Sequence, residues 1–269
     1  ATGRKTHGGI TFGASARPSV RLPEPATDTR TMPNPAYEPH EITWTPEKIR
    51  RLWDFYGTSD GHADSYFSRS SGGRVVALAR RLTDLSGRVL DFGCGPGHLV
   101  EHLLARSGAQ QVAGLDFSAA SAAEANRRLR HEPRFEGALA VEELPSDLAS
   151  ASFDAVLAVE VVEHLDDEEL SGFLAEARRV LRPTGALVLT TPNEERLGQQ
   201  MVCCPECGCT FHKWQHVRSW SAGSLSAALA AHGFRPVAAR RTCFGSLPRR
   251  LWYRWRGAPP HLMVVARPA

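Results

Sequence analysis

The sequence predicts an α/β chain built on a doubly wound, mostly parallel sheet with helices on both faces. Three observations predict it. Short apolar runs alternate with helical patterns from Arg88 onward, the signature of parallel strands joined by crossover helices. The run from Ser152 to Val159 is almost unbroken in apolar character, which suits a central strand buried on both faces. The stretch Val89–Gly97 reads Val-Leu-Asp-Phe-Gly-Cys-Gly-Pro-Gly, with alternating glycines between a strand and an amphipathic helix starting near His98. Such folds receive nucleotide-type ligands on a glycine turn of this kind.

The elements follow in order. Residues 1–44 are rich in Gly, Pro, Thr, Ser and Arg without apolar periodicity, and read as a disordered or extended tail. Thr45-Pro46 is a helix start, with Ile49, Leu52, Trp53 and Tyr56 at helical spacing. Gly57–Gly73 reads as a polar loop containing Tyr66 and Phe67, and Val75–Leu82 as a second helix. Strand and helix then alternate: Val89–Phe92, His98–Ser107, Gln111–Asp116, a helix over Ala119–Arg130 capped by Ser118, and a short strand at Phe135–Leu139. After the central strand come a helix at Leu170–Leu181 stopped by Pro183-Thr184-Gly185, a strand at Ala186–Thr191 and a helix at Ser224–His232. Phe234–Thr242 and Leu262–Arg267 close the chain as an antiparallel pair.

A chain of 269 residues suits one large domain with appendages. A formal net charge of +3 gives no general mandate for nucleic acid or a membrane. No apolar run reaches membrane-span length and no signal-peptide core is present, so the expected location is the cytoplasm. Four of the six cysteines crowd into Cys203–Cys209, too close together to staple a secreted fold, which points to metal binding or reduced thiols.

The glycine loop is not a phosphate loop. It lacks the Gly-Lys-Ser/Thr ending, and Asp91 would repel a diphosphate while suiting a cationic ligand. Asp116, at the end of the next strand and twenty-five positions after Asp91, can accept both ribose hydroxyls of a nucleoside. This pattern resembles motif I of the class I S-adenosylmethionine-dependent methyltransferases. The resemblance implies a Rossmann-like seven-stranded sheet with an antiparallel last strand, spanning residues 86–269 with a Cys-rich insertion at about 199–216. It implies S-adenosyl-L-methionine as cofactor, held by Asp91, Gly93, Cys94, Gly95, Gly97, Asp116, Phe117 and Val159. Where the family carries an adenine-binding aspartate this chain has Ala140, which leaves the backbone at Val141 and the side chain of Glu142. Residues 45–85 would form a helical lid, with Tyr56, Tyr66 and Phe67 either lid residues or packing residues at a helix–loop junction.

A second cluster follows the central strand: Glu160-Val161-Val162-Glu163-His164. A helix starting there puts Glu160, Glu163 and His164 on one face, at the sheet edge where these folds bind ligands. Two carboxylates and an imidazole there can hold a divalent cation or move protons. The plainer reading, an acidic first turn complementing the helix dipole, accounts for Asp166–Glu169 better than for Glu160 and His164. Glu-x-x-Glu-His at this point is similar to two groups of methyltransferases. They are the ubiquinone-biosynthesis O-methyltransferases and the metal-dependent small-RNA 3′-terminal 2′-O-methyltransferases. In the second group a later histidine completes the metal site, and His216 matches its spacing to Trp220-Ser221. The resemblance therefore assigns Glu160, Glu163, His164 and His216 to a divalent cation, Mg²⁺ or Mn²⁺, with Glu163 and His164 catalytic. Cys204-x-x-Cys207 has the form of half a zinc site, with Cys209 and His212 as candidate partners; a reduced, unmetallated loop is the alternative.

The reading that results is metal-assisted methyl transfer to a hydroxyl of a vicinal diol on a sugar, glycan or hydroxylated natural product. Its rivals are an RNA 3′ end as acceptor, a metal-free N- or C-methyltransferase, and a cofactor-binding domain without turnover. Nucleic acid is not favoured, because a near-neutral chain supplies no obvious basic surface. The segment Pro248–Arg256 interleaves arginines with aromatics and fits bases or sugars, a membrane surface, or a helix packing its aromatics inward.

Overall fold

The computed structural model describes residues 38–58 and 66–269. Most of the expected tail therefore lies outside the described residues. Its last part is not a tail, because His40–Glu41 forms a short strand, β1. Helix α1 (Pro46–Thr58) follows, its first turn capped where Thr45 Oγ1 accepts from the Lys48 N–H at 3.3 Å. Helix α2 spans Phe67–Ala79. The expected polar loop thus ends earlier than its glycines suggest. A Cβ at Gly72 would collide with the His102 ring, so that glycine serves helix–helix contact rather than a turn.

The α/β body runs β2 (Arg88–Phe92), α3 (His98–Arg106), β3 (Gln111–Asp116), α4 (Ala119–Leu129), β4 (Phe135–Ala140), β5 (Phe153–Val159), α5 (Asp167–Val180) and β6 (Leu181–Pro192). A hairpin of β7 (Met201–Cys203) and β8 (Cys209–His212) comes next, then α6 (Ala222–Ala231), β9 (Phe234–Thr242), α7 (Leu247–Arg256) and β10 (His261–Pro268). The main sheet has the order β4-β3-β2-β5-β6-β10-β9. Every pair is parallel except those made by β10, which runs antiparallel to both neighbours. A second, three-stranded sheet has the order β1-β8-β7.

Alternation along the strands fills a core on each face of the main sheet. Leu262 and Val264 of β10 pack with Phe173 and Leu174 of α5 and Leu225 and Leu229 of α6. Met263 and Val265 face the other way, toward Val75 and Val76 of α2 and Leu99 and Leu103 of α3. This burial on both sides explains why β5 and β6 read as continuous apolar runs.

Two expectations near the sheet edge are corrected. No helix begins at Glu160; residues 160–166 form a turn, and α5 starts at Asp167. A capping box decides this: Asp166 accepts from the Glu169 N–H at 2.9 Å, and the Glu169 side chain accepts from the Asp166 N–H at 2.9 Å. Nor do Pro183–Gly185 separate helix from strand. Leu181 already pairs with Phe153, and the ladder resumes at Ala186 opposite Ala155, leaving residues 182–185 outside the regular register.

Candidate active site

Both candidate clusters lie at the carboxyl edge of the main sheet. β2 delivers Asp91 and the glycine loop, whose N–H groups at Gly93 and Cys94 both donate to the Leu115 carbonyl, at 2.7 and 3.0 Å. Gly93 has φ +80°, and a Cβ there would sit 2.7 Å from Val161 Cγ2. Only glycine lets this loop press against the turn that carries Glu160–His164. Gly97, at φ +85°, sits at the start of α3. Asp116 is buried, with Oδ2 accepting from the Gly95 N–H at 2.7 Å and Oδ1 from the Ser118 N–H at 2.9 Å. Burial pushes its pKa up to about 6, against those two hydrogen bonds and with a smaller push from Asp54. Asp91 is raised well above the ordinary value, by burial and then by Asp116, and its Oδ2 has no partner. An acid buried in this way awaits a donor or a positive charge.

The other expected cofactor residues gather around this loop or at the ends of its strands. Phe117 leaves an exposed ring next to Asp116, and the Val141 N–H donates to the Asp116 carbonyl at 2.9 Å. Ala140 and Glu142 are exposed, Val159 is half-buried, and Cys94 is buried. The Tyr66 ring lies against Gly95, and burial followed by Asp116 pushes its hydroxyl up to about 12.

On the second cluster, Glu163 is 1% exposed and neither carboxylate oxygen has a hydrogen-bond partner; buried His164 Nδ1 has none either. Burial first, then Glu160, lifts the Glu163 pKa well above its ordinary value. Thr191 opposes that shift without reaching hydrogen-bond geometry. His164 is held down to about 3, by burial and then by His216. Glu163, His164 and His216 bring one ligand atom each to within 4.8 Å of one another. Glu160 stands beside them rather than among them. Its backbone takes the left-handed conformation at φ +56°, and its Oε1 accepts from Thr190 Oγ1 at 2.9 Å. Burial pushes Glu160 up to about 8, with Thr190 opposing and Glu195 adding.

The segment after β8 carries the second histidine into place. The Val217 N–H donates to the Glu163 carbonyl at 2.9 Å, and Gln215 Nε2 donates to the His164 carbonyl at 2.9 Å. Gln215 is buried, with φ +59°. The His216 ring centre is 4.8 Å from that of His164 and 4.5 Å from that of His212. His212 is therefore placed against His216, not with the cysteines as the sequence reading had it.

A second trio, Glu195, His212 and His216, also gathers within 4.8 Å. Hydrogen-bond bookkeeping decides between the two sets. His212 Nδ1 faces the N–H groups of Trp214 and His216 at 3.3 and 3.0 Å, so it accepts and the ring proton sits on Nε2. An N–H cannot ligate a cation; His212 Nε2 faces Glu195 Oε1 at 3.7 Å, beyond hydrogen-bond reach, and has no other partner among the described residues. His216 Nδ1 lies 2.5 Å from Glu195 Oε2, which places its proton on Nδ1 and leaves the Nε2 lone pair free. Burial would raise the Glu195 pKa, but its hydrogen bond with His216 holds it below its ordinary value. Glu195 and His212 thus orient His216, and the first trio keeps the open ligand atoms.

Helix α1 covers this arrangement. Trp53 Nε1 donates to Gln215 Oε1 at 3.1 Å, and its ring meets His164 edge-on at 5.0 Å. Asp54 Oδ1 accepts from Ser118 Oγ at 2.8 Å, so one helix touches both clusters. Tyr56 donates to the Lys213 carbonyl at 2.9 Å, whereas Phe67 packs on Phe244 and His261. Sequence reasoning missed Trp53, Glu195 and Gln215 as site residues. Only Glu195, an acid just past a strand end, carried a readable signal.

The cysteine hairpin is held by the Cys204 N–H to the Cys209 carbonyl and the Gly208 N–H to the Cys204 carbonyl, at 2.8 and 2.9 Å. The N–H groups of Cys207 and Glu206, then the Cys207 thiol, draw the Cys204 pKa down. Among the described residues no cysteine falls in a trio of close ligand atoms.

Fold and site together define a nucleoside-cofactor domain with a second polar cluster at the sheet edge. A family model described as a methyltransferase domain matches residues 66–239, and the chain belongs to that family. It is 33% identical over 175 residues to the ubiquinone biosynthesis O-methyltransferase of Bradyrhizobium sp. (strain ORS 278), covering 62% of this chain and 66% of the relative. It is 40% identical over 169 residues to the enzyme of the same description from Rhodopseudomonas palustris (strain HaA2), covering 60% and 64%. The chain thus spans less than two thirds of these relatives' own length. Among solved structures, the Burkholderia thailandensis 1,6-didemethyltoxoflavin-N1-methyltransferase with bound S-adenosylhomocysteine superposes with a TM-score of 0.60 at 19% identity. That superposition covers 85% of this chain and 92% of the other and shows the shared fold.

Proposed function

We propose that the chain transfers a methyl group from S-adenosylmethionine to one hydroxyl of an acceptor bearing adjacent hydroxyls, a sugar, glycan or hydroxylated small molecule. A divalent cation, Mg²⁺ or Mn²⁺, would be held by Glu163, His164 and His216, with Glu160 as a fourth donor from the side. One observation carries the reading: the Glu163 oxygens and His164 Nδ1 are buried without partners. Leaving a carboxyl and an imidazole nitrogen unsatisfied is costly, and a cation satisfies both at once. One carboxylate with two imidazoles suits Mn²⁺ or a later metal at least as well as Mg²⁺.

When bound, the cofactor supplies a methyl group on a sulfonium, and the cation supplies positive charge that eases loss of a proton from the acceptor hydroxyl. The chain's residues do the positioning. Asp116 and the Gly93–Gly97 loop would hold the donor, with buried Asp91 suited to its cationic part. Glu195 and His212 fix the proton of His216, and α1 excludes water from both clusters as a lid. A general-base role for His164 fits less well, because a ring nitrogen on the cation and a pKa held at about 3 make it a weak base, so the acceptor's proton would leave to solvent.

The test is methyl transfer to a catechol and to a diol-bearing sugar, with and without EDTA, for the native chain and Glu163→Gln. Stripping the cation and substituting Glu163 are each expected to lower activity about 10²-fold or more, with Mn²⁺ or Mg²⁺ restoring only the native chain. Metal analysis of the same samples reads Mn²⁺ lost in Glu163→Gln, and separately any zinc on Cys204, Cys207 and Cys209. Activity that ignores both EDTA and Glu163→Gln sinks the proposal.

A further inference from the structure

Helix α7 is presented outward. None of its residues is buried, and Leu247, Leu251, Trp252 and Trp255 are 63%, 59%, 47% and 84% exposed. This rules out the aromatics-inward arrangement that the sequence allowed. At the α-helical repeat these four side chains share an arc of about 140°. Half-buried Tyr253 falls on the opposite side, toward the body. Arg250 and Arg254 border the apolar arc on one side, and Arg249 and Arg256 on the other, with the Arg256 guanidinium 4.7 Å above the Trp252 ring.

We propose that this face docks on an anionic lipid bilayer. A solvent-facing apolar arc of this size, edged by tryptophan and arginine, is the arrangement of a helix lying in the headgroup plane. Charge selects the partner. α7 carries no acid, and the sixty-three residues after Glu206 hold ten Lys or Arg and no Asp or Glu. The +3 of the whole chain conceals this asymmetry. The chain's own N-terminal segment is a poor occupant, because Arg4, Lys5, Arg17, Arg21 and Arg30 outnumber its acids Glu24 and Asp28. Base stacking fits less well than acyl chains, since the arginines lie at the borders of the arc and Leu247 and Leu251 occupy much of it. No helix among the described residues is long and apolar enough to cross a membrane, which agrees with a surface mode.

The helix is also tied to the site. β9 ends at Thr242 opposite His261, and His261 pairs with Pro192 at the end of β6. The Asn193 N–H donates to the Pro260 carbonyl at 2.9 Å, and its side chain to the Pro259 carbonyl at 3.2 Å. α7 therefore leaves the sheet at the edge that carries the two clusters, and docking would set that edge beside the membrane.

Co-sedimentation of the full chain with phosphatidylcholine vesicles, with and without phosphatidylglycerol, tests the idea. Binding is expected only to the anionic vesicles, falling with salt. Leu251→Ser with Trp255→Ser should lower it tenfold or more, and Arg250→Gln with Arg254→Gln about fivefold per arginine. Cofactor binding and circular dichroism confirm that the variants are folded. Equal affinity for neutral and anionic vesicles, no binding to either, or unchanged binding by the variants overturns the proposal. So does a native dimer that the serine variants split, or a polynucleotide bound by the same face in preference to the vesicles.

Discussion

At Asp116 one carboxyl is shared between the fold and the expected ligand. Two loop N–H groups already donate to it, and burial still lifts its pKa to about 6. A raised carboxyl pKa means the folded chain holds that proton more tightly than the unfolded chain does. The resulting stability is fully present below about pH 4 and lost as pH rises through about 6. Ligand binding runs the other way, because ribose hydroxyls need the ionised acceptor. Affinity for S-adenosylmethionine, read by calorimetry, is expected to weaken about tenfold per pH unit below 6, and Asp116→Asn should flatten that profile. Asp116 was legible from residue type and its place at a strand end after the glycine loop, and His216 from the spacing to Trp220-Ser221 that the family resemblance supplies. Trp53 and Gln215 were not, because their roles come from how distant segments lie together. The left-handed backbone at Glu160 has no signature in a glutamate.

Among the elements, α5 shows why the second cluster is a turn. Helical spacing at Glu160, Glu163 and His164 made a helix plausible, yet the capping box at Asp166 and Glu169 holds the start at Asp167, seven residues later. Three acids in the first turn reinforce that start against the helix dipole. Asp166→Ala should cost about 1 kcal/mol of stability in denaturant unfolding; an unchanged midpoint would show that the cap does not set the boundary. The strands were read within a residue or two where both faces are buried, as in β3 and β10. The β6 boundary was missed because proline and glycine at 183 and 185 look like a stop, whereas pairing with β5 resumes beyond them. The early start of α2 was hidden for a related reason, since tertiary contact with His102 rather than a turn requires Gly72.

Across the whole molecule the parallel sheet and its cofactor edge were readable from periodicity and the glycine loop. The small sheet was not, because a two-residue strand has no periodicity to detect. The His40 N–H donates to the Gly208 carbonyl and the Ile42 N–H to the Thr210 carbonyl, at 3.0 and 2.9 Å. Trp44 meets Phe211 edge-on at 6.1 Å. Removing residues 1–37 is expected to leave cation affinity within about twofold of the native value, whereas removing residues 1–44 should weaken it about tenfold through displaced His212 and Glu195. Titration with Mn²⁺ reads both, and equal affinity for the two truncated chains would uncouple the strand from the site.

The hairpin with its cysteines looks like an ornament inserted between a strand and a helix of a standard domain. Its second strand ends on His212, and the chain leaving it carries Gln215 and His216 over the Glu163–His164 turn. Trimming the protein to a minimal domain would therefore cut away part of the proposed cation site.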